Sequence, residues 1–268
     1  MKKVGIYTNF YKDSDKSITN NIIEILKENE FDYVCFSQDT EDINNCDFSD
    51  LNCLIIIGGD GTILYNVTPC IKADIPMLTI NKGTFGFLSE VPSESLEKVI
   101  DLINRENVLI EERDVLHTVV NGEDHYALNE VIIERHTFSR IITIAVEVDG
   151  HLVNEFKGDG FIVSTPTGST GYSLSAGGSI ISPKAAVIAL TPLNCVSLTA
   201  RPIIVSSDET VKLTLTDAQR DGGIFADGHM IGFLKKGESI TIKTDFKKLK
   251  FLRSSDFTFY RKLIKRLI

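Results

Sequence analysis

The sequence predicts an α/β N-terminal domain with a parallel sheet, followed by a β-rich C-terminal domain. Strand-like and helix-like segments alternate over the first hundred residues, which is typical of a parallel sheet covered by helices. From about residue 107 the strand-like segments follow one another with turn signals between them, and a basic tail closes the chain. We therefore expect domains at residues 1–106 and 107–246, with a tail at 247–268.

Apolar runs separated by polar breaks define the expected elements of the first domain. The expected strands are Lys3–Thr8, Tyr33–Phe36, Leu54–Ile57 and Pro76–Ile80. The expected helices are 17–29, 63–72 and 93–104, the last of them opened by Ser93. The acidic stretch 39–50 is expected to be a surface loop. Because ligands bind at the carboxyl ends of parallel strands, the loop after Ile57 is the first candidate for a site.

That loop, GGDGT, combines glycines with a single carboxylate. Gly58, Gly59 and Gly61 allow a sharp turn and a close approach of backbone N–H groups to a ligand. Thr62 is expected to open a helix whose N-terminus favours phosphate. A carboxylate such as Asp60 near phosphate costs free energy unless it holds a metal or accepts a proton, which points to catalysis. The alternative is a turn in which Asp60 caps the next helix.

The second domain is expected to be mostly antiparallel. Turn signals at Asn121–Gly122 and Asp149–Gly150 lie between β-rich segments. Further strands are expected at 203–205, 210–216, 223–225 and 239–243.

A second run rich in glycine, serine and threonine lies at the centre of this domain, at Lys157–Gly178. Hydroxyls and backbone amides suit sugar and phosphate, the ring of Tyr172 suits a base, and Asp159 suits a ribose hydroxyl or an amide. Long loops without secondary structure of their own are often functional. The alternative is a set of tight β-turns, in which Gly and Ser are common.

Composition excludes several classes of protein. The chain has 268 residues, of which 43% are hydrophobic and 24% charged, as in an ordinary soluble protein. No segment reaches the length of a membrane span or resembles a signal peptide, so we expect a cytoplasmic protein without membrane association. The net charge of −9 argues against nucleic-acid binding.

Cysteine and histidine spacing gives no sign of a metal or disulfide framework. The five cysteines contain no CxxC and the five histidines no HxxxH, so free thiols and no protein-built metal site are expected. The tail carries eight basic residues and one acidic residue, with Phe259, Leu263 and Leu267 at helical spacing. We interpret it as an amphipathic helix that packs on the body of the protein, its charges forming a solvated face.

Taken together, the motifs resemble those of the NAD kinases. Five segments correspond to family motifs, in the family's order and over nearly the whole chain: GGDGT, the glycine-containing segment 82–88, Asn129–Glu130, 159–178 and TPLNCVSLTARPIIV at 191–205. GGDGT alone is shared with diacylglycerol and sphingosine kinases and, in related form, with phosphofructokinases. The long run at 159–178 is far more specific.

The resemblance implies a two-domain kinase whose tail returns to the first domain and whose active site lies between the domains. It would transfer the terminal phosphoryl group of ATP to the adenosine ribose 2′-hydroxyl of NAD, giving NADP, with Asp60 as the general base. Mg²⁺ or another divalent cation would come with ATP, because the sequence offers no dedicated metal cage. The family's members also lead us to expect a homodimer or a homotetramer.

The resemblance assigns binding roles residue by residue. Gly58, Gly59, Gly61 and Thr62 would cradle phosphates. Asn129 and Glu130 would hold the ribose or adenine of NAD. The remaining implied binding residues are Phe85, Arg140, Lys157, Asp159, Thr167, Thr170, Gly171, Tyr172, Ser173, Ser175 and His229.

Several of these residues have a plainer interpretation. Arg140 and Lys157 are also compatible with solvated surface charges, and Tyr172 with a core position. His229 is also compatible with a turn residue after Asp227–Gly228. Two positions depart from the family pattern, since Gly171 stands where Ala is usual and His229 where Gln is common.

Two other functions remain as alternatives. A lipid kinase sharing GGDGT would need an apolar acceptor pocket or a membrane-facing surface. A noncatalytic NAD(P)-sensing module would have no need of Asp60 in a glycine turn. Incubation with ATP, Mg²⁺ and either NAD or diacylglycerol distinguishes the three.

Overall fold

The protein forms two compact units. The computed structural model describes residues 3–37, 43, 46–82, 86–93, 95–104, 108–136, 140–254 and 259–267. The first unit comprises Met1–Glu112 and Leu249–Ile268, and the second comprises Arg113–Lys248. The boundaries predicted from the sequence are 106/107 and 246/247.

The secondary structure is numbered along the chain. The first strands are β1 (Lys3–Thr8), β2 (Asp32–Ser37), β3 (Cys53–Ile57), β4 (Met77–Asn81), β5 (Val91–Pro92), β6 (Val108–Arg113), β7 (Leu116–Val120), β8 (Glu123–Ala127), β9 (Glu130–Glu134) and β10 (Ile142–Val148). The later strands are β11 (His151–Gly158), β12 (Gly160–Ser164), β13 (Val187–Leu193), β14 (Ile203–Ser206), β15 (Val211–Asp217), β16 (Gly222–Ala226), β17 (His229–Leu234), β18 (Ser239–Thr244) and β19 (Leu249–Ser254). The helices are α1 (Ser17–Glu28), α2 (Asp60–Tyr65), α3 (Val67–Ala73), α4 (Lys98–Asn104), α5 (Tyr172–Ser175) and α6 (Phe259–Leu267).

The first unit is built on a seven-stranded sheet in the order β2-β1-β3-β4-β19-β6, with β5 paired to β4. The pairs β1/β2, β1/β3, β3/β4 and β4/β19 are parallel, as the alternation of strands and helices predicted. Strands β3 and β4 are buried throughout, which agrees with the apolar run of β3, whereas β4 also buries the polar residues Thr79 and Asn81. One cluster of buried side chains from the sheet, α1 and α4 forms the core.

Two helix predictions in this unit were wrong in their bounds. The expected helix at 63–72 is two helices, α2 and α3, separated at Asn66, and α2 begins at Asp60 rather than at Thr62. The helix expected to open at Ser93 begins at Lys98, because Val91–Pro92 pairs with β4 and Ser93 N–H donates to the Asn81 carbonyl. The acidic stretch 39–50 lies partly outside the described residues.

The tail contributes more than the expected helix. Strand β19 lies beside β4, and α6 follows it. The expectation of a wholly solvated basic face was wrong, because Arg253 is fully buried and Lys262 is only 8% exposed.

The second unit contains two six-stranded antiparallel sheets, as predicted for a β-rich domain. Their orders are β11-β10-β15-β18-β7-β8 and β14-β13-β12-β9-β16-β17. The inner faces of both sheets contribute to one apolar core, so the sheets pack face to face.

Tight turns connect three of the hairpins in the second unit. Both central residues have positive φ at Asn121–Gly122, Asp149–Gly150 and Asp227–Gly228. This is the backbone of a type I′ turn, whose twist matches that of the flanking strands. The hairpins predicted at the first two dipeptides are confirmed.

The five cysteines are free thiols, as expected. No helix among the described residues is long and apolar enough to cross a membrane.

Candidate functional site

The GGDGT loop lies at the carboxyl end of β3, where the sheet geometry predicts ligand sites. Gly58 N–H donates to the Ile80 carbonyl of the neighbouring strand, 3.0 Å away. A Cβ at Gly58 would lie 2.4 Å from Thr62 Oγ1, so a larger residue does not fit there. Among the described residues, and apart from the adjoining residues of the chain, no atom lies within 4 Å of a Cβ placed at Gly59 or Gly61, which leaves room for a ligand next to the backbone.

Asp60 is the first residue of α2, and its carboxylate is held from outside that helix. Phe87 N–H donates to Oδ2 at 2.9 Å and Leu88 N–H donates to Oδ1 at 3.3 Å. The N-cap of α2 is Gly59, which has no side chain, so the alternative of Asp60 as the N-cap residue is wrong. A Cβ at Gly86 would lie 1.9 Å from Asp60 Oδ1, so glycine at this position is required for the contact.

Thr62 is a structural member of the loop. It is 4% exposed, and its hydroxyl oxygen accepts a hydrogen bond from the Asn9 amide at 3.1 Å. Asn66 Nδ2 donates to the Thr62 carbonyl at 2.8 Å. These contacts fix the loop between β1 and the end of α2. Phe85, the other predicted site residue of this unit, lies outside the described residues.

In the second unit, Asn129 and Glu130 stand where β8 leads into β9, and Asp227 holds them. The Asp227 carboxylate accepts three backbone N–H groups: from Leu128 at 2.7 Å, from Asn129 at 2.7 Å and from Glu130 at 3.1 Å. Asp227 N–H donates in return to the Glu130 carbonyl at 3.0 Å. The turn Asp227–Gly228 therefore fixes the backbone of the Asn-Glu pair.

Glu130 and Asp227 form a pair of buried carboxyl groups, 6% and 7% exposed. Burial raises the pKa of Glu130 to about 8, and the Asp227 charge adds to the rise. Burial raises the pKa of Asp227 to about 7, although its three N–H donors oppose this. Among the described residues, Glu130 Oε2 has no hydrogen-bond partner. A buried carboxyl oxygen that lacks a hydrogen-bond partner is suited to bind a polar group of a ligand.

The glycine-rich run 159–178 packs directly on this pair. A Cβ at Gly168 would lie 2.1 Å from the Asn129 carbonyl oxygen, so only glycine fits there. A Cβ at Gly171 would lie 3.3 Å from Glu130 Oε2. The structure therefore brings together the two motifs that the sequence analysis found far apart.

Hydroxyl groups of the run are largely engaged within the unit. Arg113 donates to Thr167 Oγ1 at 3.0 Å, and Thr170 Oγ1 donates to the Thr167 carbonyl at 3.3 Å. The Ser173 hydroxyl, fully buried, pairs with that of Thr191 at 2.9 Å. Thr167 and Ser173 thus shape the loop from within.

Tyr172 opens α5 and presents 39% of its surface to solvent, so the alternative of a core residue is wrong. Burial of the rest of the side chain raises the pKa of its hydroxyl, and the carboxyl groups of Glu134, Asp159 and Glu130 raise it further when they are ionised. Its exposed ring and acidic surroundings suit a ligand with a planar group and hydrogen-bond donors.

Asp159 is oriented by two partners. Arg135 Nε donates to Oδ1 at 2.6 Å, and Asn194 Nδ2 donates to Oδ2 at 3.0 Å. The hydrogen bond from Asn194 lowers the pKa of Asp159 against the effect of burial, with a smaller contribution from Arg135. The carboxylate is thus a fixed, ionised acceptor.

The remaining predicted residues are exposed on the surface of the second unit: Arg140, Lys157, Ser175 and His229. His229 directly follows the turn Asp227–Gly228 and begins β17, as its plainer interpretation requires.

Sequence reasoning missed several residues that hold the site: Gly86, Arg113, Arg135, Asn194, Asp227 and Lys262. Gly86 and Asn194 lie within the motif-like segments 82–88 and 191–205, and Asp227 lies in an Asp-Gly turn dipeptide. None of these signals indicated the contacts that the residues make, such as the three N–H donors to Asp227 about a hundred residues away. Among the described residues, no group of three or more His, Cys, Asp or Glu side chains is placed to hold a metal ion.

Both the domain models and the full-length relatives that match this chain are those of NAD kinases. Residues 4–108 match the ATP-NAD kinase N-terminal domain, and residues 128–254 match the ATP-NAD kinase C-terminal domain. The chain is 36% identical to an NAD kinase of Lachnoclostridium phytofermentans and 35% identical to one of Caldicellulosiruptor saccharolyticus. Each match covers 98% of both chains.

Solved structures agree at the level of the fold. A crystal structure of an Archaeoglobus fulgidus NAD kinase in complex with ATP matches with a TM-score of 0.78 at 26% identity. The match covers 99% of this chain and 98% of the other. A yeast NADH kinase complexed with NADH matches with a TM-score of 0.84 at 23% identity, covering 100% of this chain and 87% of the other.

Proposed function

The chain belongs to the NAD kinase family, and we propose that it transfers the terminal phosphoryl group of ATP to the adenosine ribose 2′-hydroxyl of NAD, giving NADP. The observation that supports this activity most strongly is the match to enzymes named NAD kinase over 98% of both chains. The enzyme is thus a phosphotransferase with an alcohol group as acceptor. The roles of individual residues follow from their geometry.

Asp60 is our candidate for the general base. The backbone N–H groups of Phe87 and Leu88 donate to the two oxygens of its carboxylate and so fix its orientation at the carboxyl end of β3. The ribose hydroxyl would give its proton to Asp60 while its oxygen bonds to the terminal phosphorus of ATP, and the bond from that phosphorus to the bridging oxygen breaks to release ADP. Proton transfer of this kind contributes roughly 10²–10⁴-fold to enzymatic rates.

The glycines around Asp60 are proposed to receive the phosphates of ATP. Within the part of the chain that the structure describes, the space beside Gly59 and Gly61 is open, so a phosphate can approach their backbone. We assign Gly58 and Thr62 a structural role in the loop, because the buried Thr62 side chain fills the space that a side chain at position 58 would need. We propose that Mg²⁺ or another divalent cation arrives bound to ATP and neutralises its phosphate charge.

The cluster in the second unit is proposed to bind the acceptor NAD. Glu130 offers a buried oxygen without a partner among the described residues, and Asp159 a fixed ionised carboxylate. Both suit ribose hydroxyls or amide groups, and the exposed ring of Tyr172 suits a base. Other proposed members of this site are Asn129, Arg140, Lys157, Thr167, Thr170, Gly171, Ser173, Ser175 and His229.

We further propose that the enzyme is a cytoplasmic homodimer or homotetramer. Large apolar side chains are exposed on edge strands of the second unit: Leu152 on β11, Ile204 on β14, and Met230 and Phe233 on β17. Exposed apolar groups on sheet edges are typical of surfaces that bind another chain. The net charge of −9 argues against nucleic acid as a partner.

The test is formation of NADP by the purified chain from NAD, ATP and Mg²⁺, detected with an NADP-specific dehydrogenase. Asp60→Asn is expected to lower kcat by at least about 10²-fold, the lower range for a lost general base. Asp101→Asn, which removes an exposed carboxylate from α4, serves as the matched control and should keep wild-type kcat.

Two results would contradict the proposal. Phosphorylation of diacylglycerol but not of NAD would favour the lipid kinase, and NAD binding without turnover would favour a sensing module. A kcat within a few-fold of wild type in Asp60→Asn would remove Asp60 from the role of base.

A further inference from the structure

The segment 86–90 holds Asp60, and the other side of this segment is held by the C-terminal part of the chain. The N–H groups of Phe87 and Leu88 point to the Asp60 carboxylate. The orientation of Asp60 therefore depends on the position of a segment that begins twenty-six residues after it.

Strand β19 fixes one part of this segment. Arg253 Nη1 donates to the Leu88 carbonyl at 2.7 Å, and Ser254 donates to Glu90 Oε1 from its backbone N at 2.9 Å and its hydroxyl at 2.6 Å. Arg253 Nε also donates to Glu111 Oε2 at 2.9 Å. Arg253 is fully buried, and a buried guanidinium requires partners of this kind.

Helix α6 contacts the other part of the segment through a lysine and a phenylalanine. Lys262 Nζ donates to the Phe87 carbonyl at 3.2 Å and to the Ser89 carbonyl. The rings of Phe87 and Phe259 also lie against each other, with centroids 6.2 Å apart. The side chain of Lys262 is thus directed into the protein rather than into solvent.

The surroundings of Lys262 are charged as well as buried. Burial lowers the pKa of Lys262 to about 7, as does the neighbouring Arg253 guanidinium, while the carboxylates of Glu90, Asp60 and Glu111 raise it. Asp60 and Lys262 therefore interact electrostatically in addition to their shared contact with Phe87. A buried amine carries a free-energy cost, so this placement calls for a function.

We propose that Lys262 is a positioning residue for the phosphoryl transfer, orienting the Asp60 carboxylate by holding the carbonyls of Phe87 and Ser89. This inference rests on the proposed function, because Lys262 acts only through the base. Lys262 binds the carbonyl of Phe87, whose own N–H group donates to Asp60. It also binds the carbonyl of Ser89, the residue that follows the second donor, Leu88. Loss of the ammonium would leave those donors free to shift, and a misplacement of about 1 Å at a reacting group can cost about 10²-fold in rate.

The experiment measures kcat and the KM values for NAD and ATP in the full chain. Lys262→Met, which keeps the aliphatic stem, should lower kcat by about 10- to 100-fold and leave both KM values within about three-fold of wild type. Lys262→Arg, which keeps a donor and a charge, should recover most of the lost kcat. Arg261→Met is the matched control, since Arg261 is an exposed cation on the same helix.

A double-mutant cycle with Asp60→Asn then asks whether Lys262 acts through Asp60. In the Asp60→Asn background, Lys262→Met should change the residual kcat by less than about two-fold, because residues that act as one unit are not additive. A merely structural lysine would lower kcat in both backgrounds, raise the KM values or resist recovery by arginine. If Lys262→Met does not fold, Lys262→Gln replaces it under the same criteria.

Failure of this inference is distinguishable from failure of the proposed function. Wild-type kcat in Lys262→Met, together with a large loss in Asp60→Asn, would overturn only the role of Lys262. Wild-type kcat in Asp60→Asn would overturn the base assignment, whatever Lys262→Met does. Equal losses in Lys262→Met and Lys262→Arg would also overturn the positioning role.

Discussion

The buried pair Glu130 and Asp227 predicts that NAD binding depends on pH. Asp227 accepts three N–H groups, which favour its ionised form, so the proton that the pair retains near neutral pH resides mainly on Glu130. Burial raises the pKa of Glu130 to about 8 from its ordinary value of 4.5. A carboxyl group that must accept ribose hydroxyls has to lose this proton first.

The magnitude follows from the ionised fraction of Glu130. With a pKa of about 8, that fraction is about 1% at pH 6 and about 50% at pH 8. If only the ionised form binds NAD, the apparent Kd equals the intrinsic Kd divided by this fraction. The Kd for NAD is therefore expected to fall by about fifty-fold between pH 6 and pH 8, and binding at pH 7 should release roughly one proton.

Calorimetric titration with NAD at pH 6, 7 and 8, in two buffers of different ionisation enthalpy, measures both quantities. Glu130→Gln is the matched control, because it keeps the shape of the side chain but cannot ionise. It should bind NAD more weakly than wild type at pH 8 and show no comparable dependence on pH. A wild-type Kd that stays within two-fold from pH 6 to pH 8, or a Glu130→Gln variant with the wild-type slope, would refute the reasoning.

Two further predictions concern the glycine-rich run. Tyr172→Ala should raise the Kd for NAD about 5- to 150-fold by loss of stacking on a base, whereas Tyr172→Phe should retain affinity if the ring makes the contact. A titration and a thermal melt of the same sample decide this, and an unchanged Kd with a lowered Tm would assign Tyr172 to stability alone. Gly168→Ala should lower both Tm and NAD affinity, because its Cβ would lie 2.1 Å from the Asn129 carbonyl oxygen. Gly171→Ala should lower both quantities less than Gly168→Ala does, because a Cβ at Gly171 would lie 3.2 Å from the Gly168 carbonyl oxygen and 3.3 Å from Glu130 Oε2 rather than 2.1 Å from a backbone atom; equal losses at both glycines would contradict this account.

The sequence was sufficient where structure depends on local chemistry. The apolar run of β3 and the Asn-Gly and Asp-Gly turns specify their backbone within a few residues, so these elements were predicted. GGDGT and the 159–178 run were recognisable for the same reason. Each is a short segment whose residue types reflect the backbone that it adopts.

Prediction failed where an element depends on a distant partner. Strand β19 pairs with β4 across more than 170 residues, and its buried Arg253 breaks the apolar pattern that marks a central strand. Strand β6, assigned by sequence to the second domain, lies beside β19 instead. Helix α4 begins later than predicted, because Val91–Pro92 forms a short strand that pairs with β4. No local signal encodes such pairings.

The identity of Asp227 shows how a distant residue determines the chemistry of a motif. An asparagine there would present Nδ2 to one of the N–H groups that Asp227 now accepts, so at least one charge-assisted hydrogen bond, worth roughly 1.5–3 kcal/mol, would be lost. The three donors therefore require a carboxylate. Its negative charge, buried beside Glu130, in turn favours the protonated form of Glu130. The residue that fixes the backbone of the Asn-Glu motif thus also sets the pH at which that motif becomes able to accept a hydroxyl group.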